Sequence, residues 1–398
     1  MTGNSFSVSG YGPERAGWTR LLARDSLARR LDWPMLLAAF VLSLLGSLLV
    51  YSATRNRTEI NQGDQYYFLV RHLMNLGIGF ALMIGTLWLG HRALRNAVPI
   101  LYGISLFGVL LVLTPLGATI NGSRNWIVFG GGFSLQPAEF VKISIILGMA
   151  MILAARVDAG DKRYPDHRTV MQSLGLAAVP ILIVLLMPDL GTVLAMVAII
   201  LGVLLASGAS NRWIFGLLIT GVLGCVAIWQ LHILDQYQIN RFAAFANPNL
   251  DPAGVGYNTN QARIAIGSGG LTGAGLFHGS QTTGQFVPEQ QTDFVFTVAG
   301  EELGFAGAGL IIFLLGVVLW RACRIARDST ELYGTIVAAG IVAWFAFQAF
   351  ENIGMTLGIM PVTGLPLPFV SYGGSSMFAV WVAVGLLQSI KVQRPMSA

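Results

Sequence analysis

Long apolar segments dominate the sequence and restrict what the chain can fold into. They lie at 33–53, 73–90, 97–117, 138–155, 172–187, 189–207, 213–231, 297–320, 334–358 and 366–390. A helix needs about 20 mostly apolar residues to cross the hydrocarbon core of a bilayer. The pattern therefore predicts an all-α, polytopic integral membrane protein with about ten transmembrane helices.

The composition indicates that these segments face lipid. Of the 398 residues, 54% are hydrophobic and 11% are charged, whereas soluble domains carry about 25% charged residues. A single water-exposed domain cannot bury such an apolar excess. These numbers exclude a soluble enzyme and a disordered chain, and two cysteines are too few for a disulfide scaffold.

The fifth and sixth segments follow each other with almost no polar residue between them. One helix of about 35 residues would be about 52 Å long, which is too long for one crossing. Pro188, Asp189 and Gly191 supply a break, so we expect a helical hairpin that turns at one membrane face. One kinked and strongly tilted helix is the alternative.

The basic residues predict the orientation of the chain in the plasma membrane. With ten spans both termini lie on one side, and 17 of the 24 Lys and Arg residues fall on that side. The positive-inside rule then places the N-terminal arm 1–32 and the tail 391–398 in the cytoplasm. The net charge of +5 thus indicates topology and contact with anionic membrane lipid, and no nucleic-acid partner is expected.

The longest connection lies on the opposite, extracytoplasmic side. Residues 232–296 join helices seven and eight of the predicted transmembrane domain 33–390. Connections of this length are usually functional or disordered. Aromatic and aliphatic residues are spaced among its glycines, which argues against disorder. We expect this loop to fold against the outer membrane surface.

Ionisable residues near the outer boundary predict a polar cavity, because charges at membrane depth cost a few kcal/mol each. Arg124 and Trp126 precede the fourth span, and Glu139 and Lys142 lie in its first turns. A guanidinium suits phosphate or carboxylate and an indole suits a sugar face, but an interfacial Arg–Trp belt explains both equally well. Glu139 and Lys142 share one helical face and form either a structural or a functional ion pair.

Further carboxylates stand at the starts of later spans. Asp189 precedes the sixth span, where the simplest role is an N-cap. Asp293 stands immediately before the eighth span, where a cap is again available. Glu301 and Glu302 follow inside the first turns of that apolar span, and capping does not explain them.

Several common catalytic patterns are absent from the sequence. It contains no phosphate-binding P-loop, no Ser–His–Asp order and no Cys/His spacing typical of zinc. The glycine-rich stretch 267–273 lacks the third glycine of the dinucleotide fingerprint. The candidate chemistry therefore rests on the carboxylates and cations near the outer face.

Six short segments together resemble the SEDS family of polytopic peptidoglycan glycosyltransferases. In family order they are Asn-Gly-x-x-x-Trp at 121–126, Gln-Pro-Ala-Glu-x-x-Lys at 136–142, Pro-Asp-Leu-Gly-Thr at 188–192, Pro-Glu-x-x-Thr-Asp-Phe at 288–294, Gly-Glu-Glu-Leu-Gly at 300–304 and Pro-Phe-Val-Ser-Tyr-Gly-Gly-Ser at 368–375. The resemblance covers nearly all of 33–390. Six motifs in order within one ten-span chain make it specific.

Within this family the chain is similar to the cell-elongation branch more than to the division branch. The similar stretches lie at 264–271, 278–281, 352–355 and 361–368. Gln290 and Gln291 occupy positions where relatives often carry a basic residue or histidine, which weakens the case for a cationic partner beside Asp293. The N-terminal arm lies outside the motifs and has no assigned role.

The resemblance implies an enzyme that polymerises lipid II into glycan strands outside the plasma membrane, for cell elongation and cell shape. A sugar hydroxyl attacks an anomeric carbon while a lipid-linked pyrophosphate leaves. An α-linked donor and a β-linked polymer make this an inverting displacement without a covalent sugar–enzyme step. Asp293, at the position of the family's catalytic aspartate, is the implied general base.

The resemblance also implies a set of substrate-binding residues: Arg124, Trp126, Glu139, Lys142, Asp189, Thr292 and Ser371. The two cations would hold pyrophosphate or orient the sugar, and Glu139 would position Lys142. Trp126 and Asp189 would shape the cavity, and Thr292 and Ser371 are included without a specific role. No organic cofactor is expected. A divalent cation, Mg²⁺ or Mn²⁺, shared between Asp293 and the pyrophosphate is compatible with the sequence, although no ligand set demands it.

The implied protein partner is a class B penicillin-binding protein, a transpeptidase that crosslinks the new strand. Its single span would pack on a lipid-facing groove near spans eight and nine and touch the long loop. Three alternatives stay open: a flippase for the lipid-linked precursor, a non-catalytic scaffold for the crosslinking enzyme, and a division or sporulation member of the same family. The clustering of ionisable groups near one face counts against the flippase.

Overall fold

A computed structural model describes residues 27–57, 59–61, 63–120, 123–129, 133–158, 164–187, 189–230 and 255–393. Its helices are α1 (Leu27–Arg30), α2 (Trp33–Thr54), α3 (Tyr67–Leu113), α4 (Pro137–Asp158), α5 (His167–Leu185), α6 (Leu190–Ala206), α7 (Asn211–Gln230), α8 (Val255–Ser268), α9 (Ser280–Thr283), α10 (Val295–Glu302), α11 (Gly304–Asp328), α12 (Leu332–Leu357) and α13 (Gly374–Val392). Most of the predicted N-terminal arm and tail and the first part of the predicted long loop lie outside the described residues.

The prediction of a helical, multi-pass membrane protein is confirmed. Within the part of the chain that the structure describes, eight helical segments are long and apolar enough to cross a membrane: Trp33–Thr54, Tyr67–Leu89, His91–Leu113, Pro137–Ala155, His167–Leu185, Gly304–Asp328, Leu332–Leu357 and Gly374–Val392. Helix α3 supplies two of them because Gly90 has a φ of 77° and interrupts it. The count of ten stays a prediction, since α6 has 17 residues and α7 is not among the eight.

The predicted hairpin between the fifth and sixth segments is present. Helix α5 ends at Leu185, α6 begins at Leu190, and the two helices pack against each other. Asp189 caps the second helix by accepting a hydrogen bond from the Thr192 amide at 3.0 Å. The alternative of one kinked helix is therefore wrong.

Several predicted span boundaries are wrong. The eighth span was expected over 297–320, but α10 ends at Glu302 and a separate helix, α11, begins at Gly304, which has a φ of 65°. The last span was expected over 366–390, but α13 begins at Gly374. Proline at 366 and 368 and glycine at 364, 373 and 374 disfavour helix, and residues 359–373 form an irregular segment instead. The second span was expected over 73–90, but its helix begins at Tyr67, which brings Arg71 inside it.

A small antiparallel sheet is an addition to the expected all-α fold. Strands β1 (Gly117–Ile120), β2 (Ser123–Phe129) and β3 (Phe133–Leu135) pair in the order β1-β2-β3. The third apolar segment was expected to stay helical to 117, but α3 ends at Leu113 and the strand follows. The sheet leads directly into the start of α4.

The core lies around α4 and α13, the two most thoroughly buried spans. Helix α13 packs along α3, and α12 packs on both α4 and α6. Large apolar side chains on the outer helices are exposed, among them Phe107, Leu182, Phe215 and Phe313. Such positions suit contact with lipid, where backbone groups are satisfied within helices.

The described part of the long connection packs on the bundle. Helix α8 contacts α10 and α12, and a small apolar cluster joins Ala265 and Phe294 to Met355 and Val362. This packing agrees with an ordered loop over 255–294. Its placement on the outer membrane surface stays a prediction.

Candidate active site

A polar cavity of about 310 Å³ lies among the starts of α3, α4 and α6, strands β2 and β3, the loop before α10 and the irregular segment 359–373. Its polar lining residues are Arg71, Asn75, Asn125, Trp126, Ser134, Gln136, Glu139, Asp189, Thr192, Glu289, Thr292, Asp293, Thr363 and Tyr372. Among these lining residues there are four carboxylates and one cation. The motif segments 121–126, 136–142, 188–192, 288–294 and 368–375 all contribute to it.

Asp293 lies in the wall of this cavity. Its main-chain amide donates to the Glu289 carbonyl at 3.1 Å, so the preceding loop turns tightly before α10. The N-cap of α10 is Phe294, which makes no side-chain capping bond, so Asp293 lies one residue before the cap position. Its carboxylate faces Gly364, where a β-carbon would lie 3.3 Å from Oδ2.

The irregular segment 359–373 forms the wall opposite Asp293. The Tyr372 amide donates to the Gln291 carbonyl at 2.8 Å, which ties this segment to the loop before α10. Ser371 does not line the cavity. Its hydroxyl accepts a hydrogen bond from the Leu367 amide at 2.8 Å, so the structure places it in a turn behind the wall.

The predicted pairing of Glu139 and Lys142 is present, but only the acid reaches the cavity. Lys142 Nζ lies 2.7 Å from Glu139 Oε1 and 3.3 Å from Gln348 Oε1, and 4.7 Å from the Trp344 ring centroid. The lysine is 0% exposed. A buried pair of this kind depends on such additional partners. Lys142 therefore supports the cavity wall from behind, whereas Glu139 lines it.

Asp189 both caps a helix and lines the cavity. Besides the Thr192 amide, its carboxylate accepts hydrogen bonds from Thr192 Oγ1 at 2.8 Å, Asn125 Nδ2 at 3.0 Å and Gln136 Nε2 at 3.3 Å. These bonds connect α6, β2 and the start of α4. The predicted N-cap and the predicted role in shaping the cavity are compatible.

Arg124 lies outside the cavity, in contrast to its predicted position beside the substrate. Its guanidinium folds back and donates to the carbonyls of Thr114 at 2.6 Å and Gly117 at 3.3 Å. Thr114 is the C-cap of α3, and a cation is stabilised by the negative end of a helix. Trp126, from the same strand, lines the cavity.

The cavity has a different cation, Arg71, which our sequence reading did not single out. Arg71 lies one helical turn before Asn75, and both line the cavity together with Tyr372. Its guanidinium carbon is 4.2 Å from the Tyr67 ring centroid. Burial raises the pKa of Tyr372, and the positive charge of Arg71 partly opposes that rise. An arginine inside an apolar helix marks a functional site, but Arg71 stands two residues before the predicted second span 73–90.

Glu301 and Glu302 do not line the cavity, and only Glu301 caps a helix, which is not its own. Glu301 accepts hydrogen bonds from the amides of Gln281 at 2.7 Å and Thr282 at 2.9 Å, at the start of α9. Glu302 accepts from the Phe277 amide at 3.1 Å. Both carboxylates hold the segment 277–282 onto the bundle.

Known proteins resemble this chain over most of its length. The family model FtsW/RodA/SpoVE, described as cell cycle protein, matches residues 32–395. Stage V sporulation protein E of Bacillus subtilis is 37% identical over 361 residues, which cover 90% of this chain and 96% of the relative. A probable peptidoglycan glycosyltransferase FtsW of Trichlorobacter lovleyi is 35% identical over 367 residues, which cover 90% of this chain and 92% of the relative.

A solved structure resembles the whole fold. It belongs to a study of the structural coordination of polymerization and crosslinking by a peptidoglycan synthase complex. The matched chain has a TM-score of 0.75 and 30% identity, and the match covers 92% of this chain and 99% of that chain.

Proposed function

The chain belongs to the FtsW/RodA/SpoVE family, the SEDS family of its motifs, and we propose that it polymerises lipid II at the cavity around Asp293. It is a peptidoglycan glycosyltransferase, as a similar relative is named. The observation that supports the site is that five of its six family motifs line one cavity containing Asp293. The proposal includes a cavity that opens toward the outer face of the plasma membrane and termini in the cytoplasm.

Asp293 is the proposed general base. The acceptor hydroxyl oxygen forms a bond to the anomeric carbon of the donor, and the bond from that carbon to the lipid pyrophosphate breaks. The hydroxyl proton passes to the Asp293 carboxylate, and the pyrophosphate leaves with the bonding electrons. A carboxylate within hydrogen-bond reach of the hydroxyl serves such a transfer.

Arg71 takes the role that the sequence assigned to Arg124. Negative charge grows on the leaving pyrophosphate, and a cation fixed in a water-poor cavity stabilises that charge more strongly than water does. Arg71 lines the cavity, whereas Arg124 is held by backbone carbonyls outside it. A guanidinium also matches phosphate oxygens with two parallel donors.

The remaining lining residues shape the sugar sites in this proposal. Trp126 offers an aromatic face for a sugar ring, and Asp189 holds the wall behind it through Asn125. Glu139 contributes one carboxylate oxygen that is not engaged by Lys142. Thr292 lies next to Asp293 and orients acceptor groups.

A divalent cation, Mg²⁺ or Mn²⁺, is also part of the proposal, but the side chains of the cavity do not form a metal site by themselves. Among the described residues no group of three or more His, Cys, Asp or Glu side chains is placed to hold a metal. Pyrophosphate oxygens would have to complete any such site. We expect metal dependence to appear only in substrate affinity, which a Mg²⁺ titration of lipid II binding measures.

We propose a class B penicillin-binding protein as the partner and cell elongation as the setting. A solved chain with the same fold comes from a complex that couples polymerization and crosslinking. The elongation role rests on the motif resemblance alone, and a sporulation protein at 37% identity favours a sporulation role as the alternative. Depletion of the chain distinguishes them: elongation predicts rounded growing cells, and sporulation predicts normal growth with defective spores.

Purified protein and purified lipid II test the activity. We expect wild-type protein to produce glycan polymer, and the Asp293→Asn variant to insert normally and produce none. Normal polymer from that variant contradicts the role of Asp293. Lipid II transport across vesicles without polymer formation by the wild-type chain would favour the flippase instead.

A further inference from the structure

We infer that Asn352 is a positioning residue for the general base, a role that rests on the function proposed above. Its Nδ2 atom donates two hydrogen bonds, at 2.8 Å to the main-chain carbonyl of Asp293 and at 2.7 Å to that of Leu365. One amide therefore joins the segment that carries the acid to the opposite wall of the cavity. Asn352 itself does not line the cavity.

The chemistry of this bridge requires a primary amide. The NH₂ group of asparagine has two donor hydrogens, and each of them reaches a carbonyl outside regular helix. Asp293 precedes α10, and Leu365 lies in the irregular segment. A buried carbonyl without a donor is costly. Serine offers one donor, and ionised aspartate offers none.

The bridge starts from a buried and tightly packed part of the fold. Asn352 is 0% exposed and lies in α12, which packs against α4, α6 and α11. One turn earlier, Gln348 donates to the Pro366 carbonyl at 2.7 Å and accepts from Lys142 Nζ at 3.3 Å. Helix α12 thus holds two consecutive carbonyls of the irregular segment, next to Gly364.

The two bonded segments are also in close contact beside the carboxylate of Asp293. Gly364 directly precedes Leu365, and its missing β-carbon would lie 3.3 Å from Asp293 Oδ2. Without the two hydrogen bonds of Asn352, the segment that carries Asp293 and the segment that carries Gly364 are no longer held by the same side chain. A misplacement of about 1 Å at a reacting group costs on the order of 100-fold in rate.

The test measures kcat and KM for lipid II together with thermal unfolding, in Asn352→Ala, Asn352→Ser and a control. Thr356→Val is the matched control, because Thr356 is buried one turn later in α12 and its hydroxyl donates to the Ile353 carbonyl of its own helix. We expect Asn352→Ala to lower kcat at least about tenfold with KM within about twofold. Asn352→Ser should be intermediate, and the control should keep kcat within about twofold.

A double-mutant cycle separates positioning from general loss of structure. In an Asp293→Glu background the base is already displaced, so Asn352→Ala should lower the remaining rate less than about threefold. The inference is overturned if the effects of Asp293→Glu and Asn352→Ala on the rate are fully additive in free energy. It is also overturned if Asn352→Ala raises KM with unchanged kcat, or if Thr356→Val loses as much kcat as Asn352→Ala. Unfolding of every Asn352 variant also overturns it. A wild-type chain that makes no glycan refutes the proposed function instead.

Discussion

Replacement of Gly364 by alanine tests how closely the cavity wall approaches the Asp293 carboxylate. Gly364 has a φ of +79°, and its new β-carbon would lie 3.3 Å from Asp293 Oδ2 and 4.0 Å from Cγ. A left-handed backbone costs an L-residue about 1–2 kcal/mol. The contact is tighter than ordinary packing, so the carboxylate must also shift by a few tenths of an ångström.

The expected rate follows from that displacement. A displacement of a reacting group by about 1 Å lowers the rate about 100-fold, which corresponds to about 2.7 kcal/mol of activation free energy. If the activation free energy rises in proportion, a shift of the carboxylate by about 0.3–0.5 Å lowers the rate about four- to tenfold. The added methyl group also covers one face of the carboxylate. We therefore expect Gly364→Ala to lower the polymerisation rate about 5- to 20-fold beyond its effect on stability.

Gly358 provides the matched control. It has a φ of +75°, so alanine there meets the same backbone strain, but its β-carbon would approach Arg263 Cδ and Thr259 Cγ2 at 3.2 Å instead of the acid. We expect Gly358→Ala to lose similar thermal stability and keep its rate within about twofold, because the flexible Arg263 side chain moves aside. Rates are measured on purified lipid II per folded protein. Equal rate losses in the two variants, or a wild-type rate in Gly364→Ala, refute the reasoning.

Three further substitutions test other parts of the structure. Arg71→Ala should lower turnover at least about 100-fold by removing charge stabilisation, whereas Arg124→Ala should stay within about threefold; a reversed order in the same glycan assay contradicts the assignment. Arg321→Met removes the cation that lies 2.6 Å from the buried Asp32 carboxylate and should lower the free energy of unfolding by about 3 kcal/mol. Adding Asp32→Asn should restore part of this stability, and an unchanged melting temperature in Arg321→Met argues against a structural ion pair. Glu301→Gln weakens the bonds to the start of α9 and should speed limited proteolysis within 277–283; unchanged cleavage contradicts its capping role.

Sequence reading located the helices and most of the cavity, because both leave strong signals. Apolar length identified the spans, and Pro188 with Asp189 identified the hairpin. Trp126, Glu139, Asp189, Thr292 and Asp293 came from motifs and all line the cavity. Proximity was predictable for Glu139, Asp189, Thr292 and Asp293 because each lies at or near the start of a helix, whereas Trp126 lies in strand β2.

The errors arose where tertiary contacts decide the outcome. Arg124 and Trp126 lie in one motif, yet the arginine folds onto the end of α3 while the tryptophan enters the cavity. Arg71 was missed because its helix begins at Tyr67 instead of 73. Asn352 bonds to a residue 59 positions away, and no local pattern contains such a partner.

The most direct test of the central claim separates binding from chemistry in Asp293→Asn. The variant keeps the size of the side chain and removes the proton acceptor, so we expect lipid II to bind with a Kd within about twofold of wild type. The single-turnover rate of glycan formation should fall at least about 1,000-fold, near the effect of removing a general base. A rate within about tenfold of wild type in this measurement would contradict the assignment of Asp293 as the base.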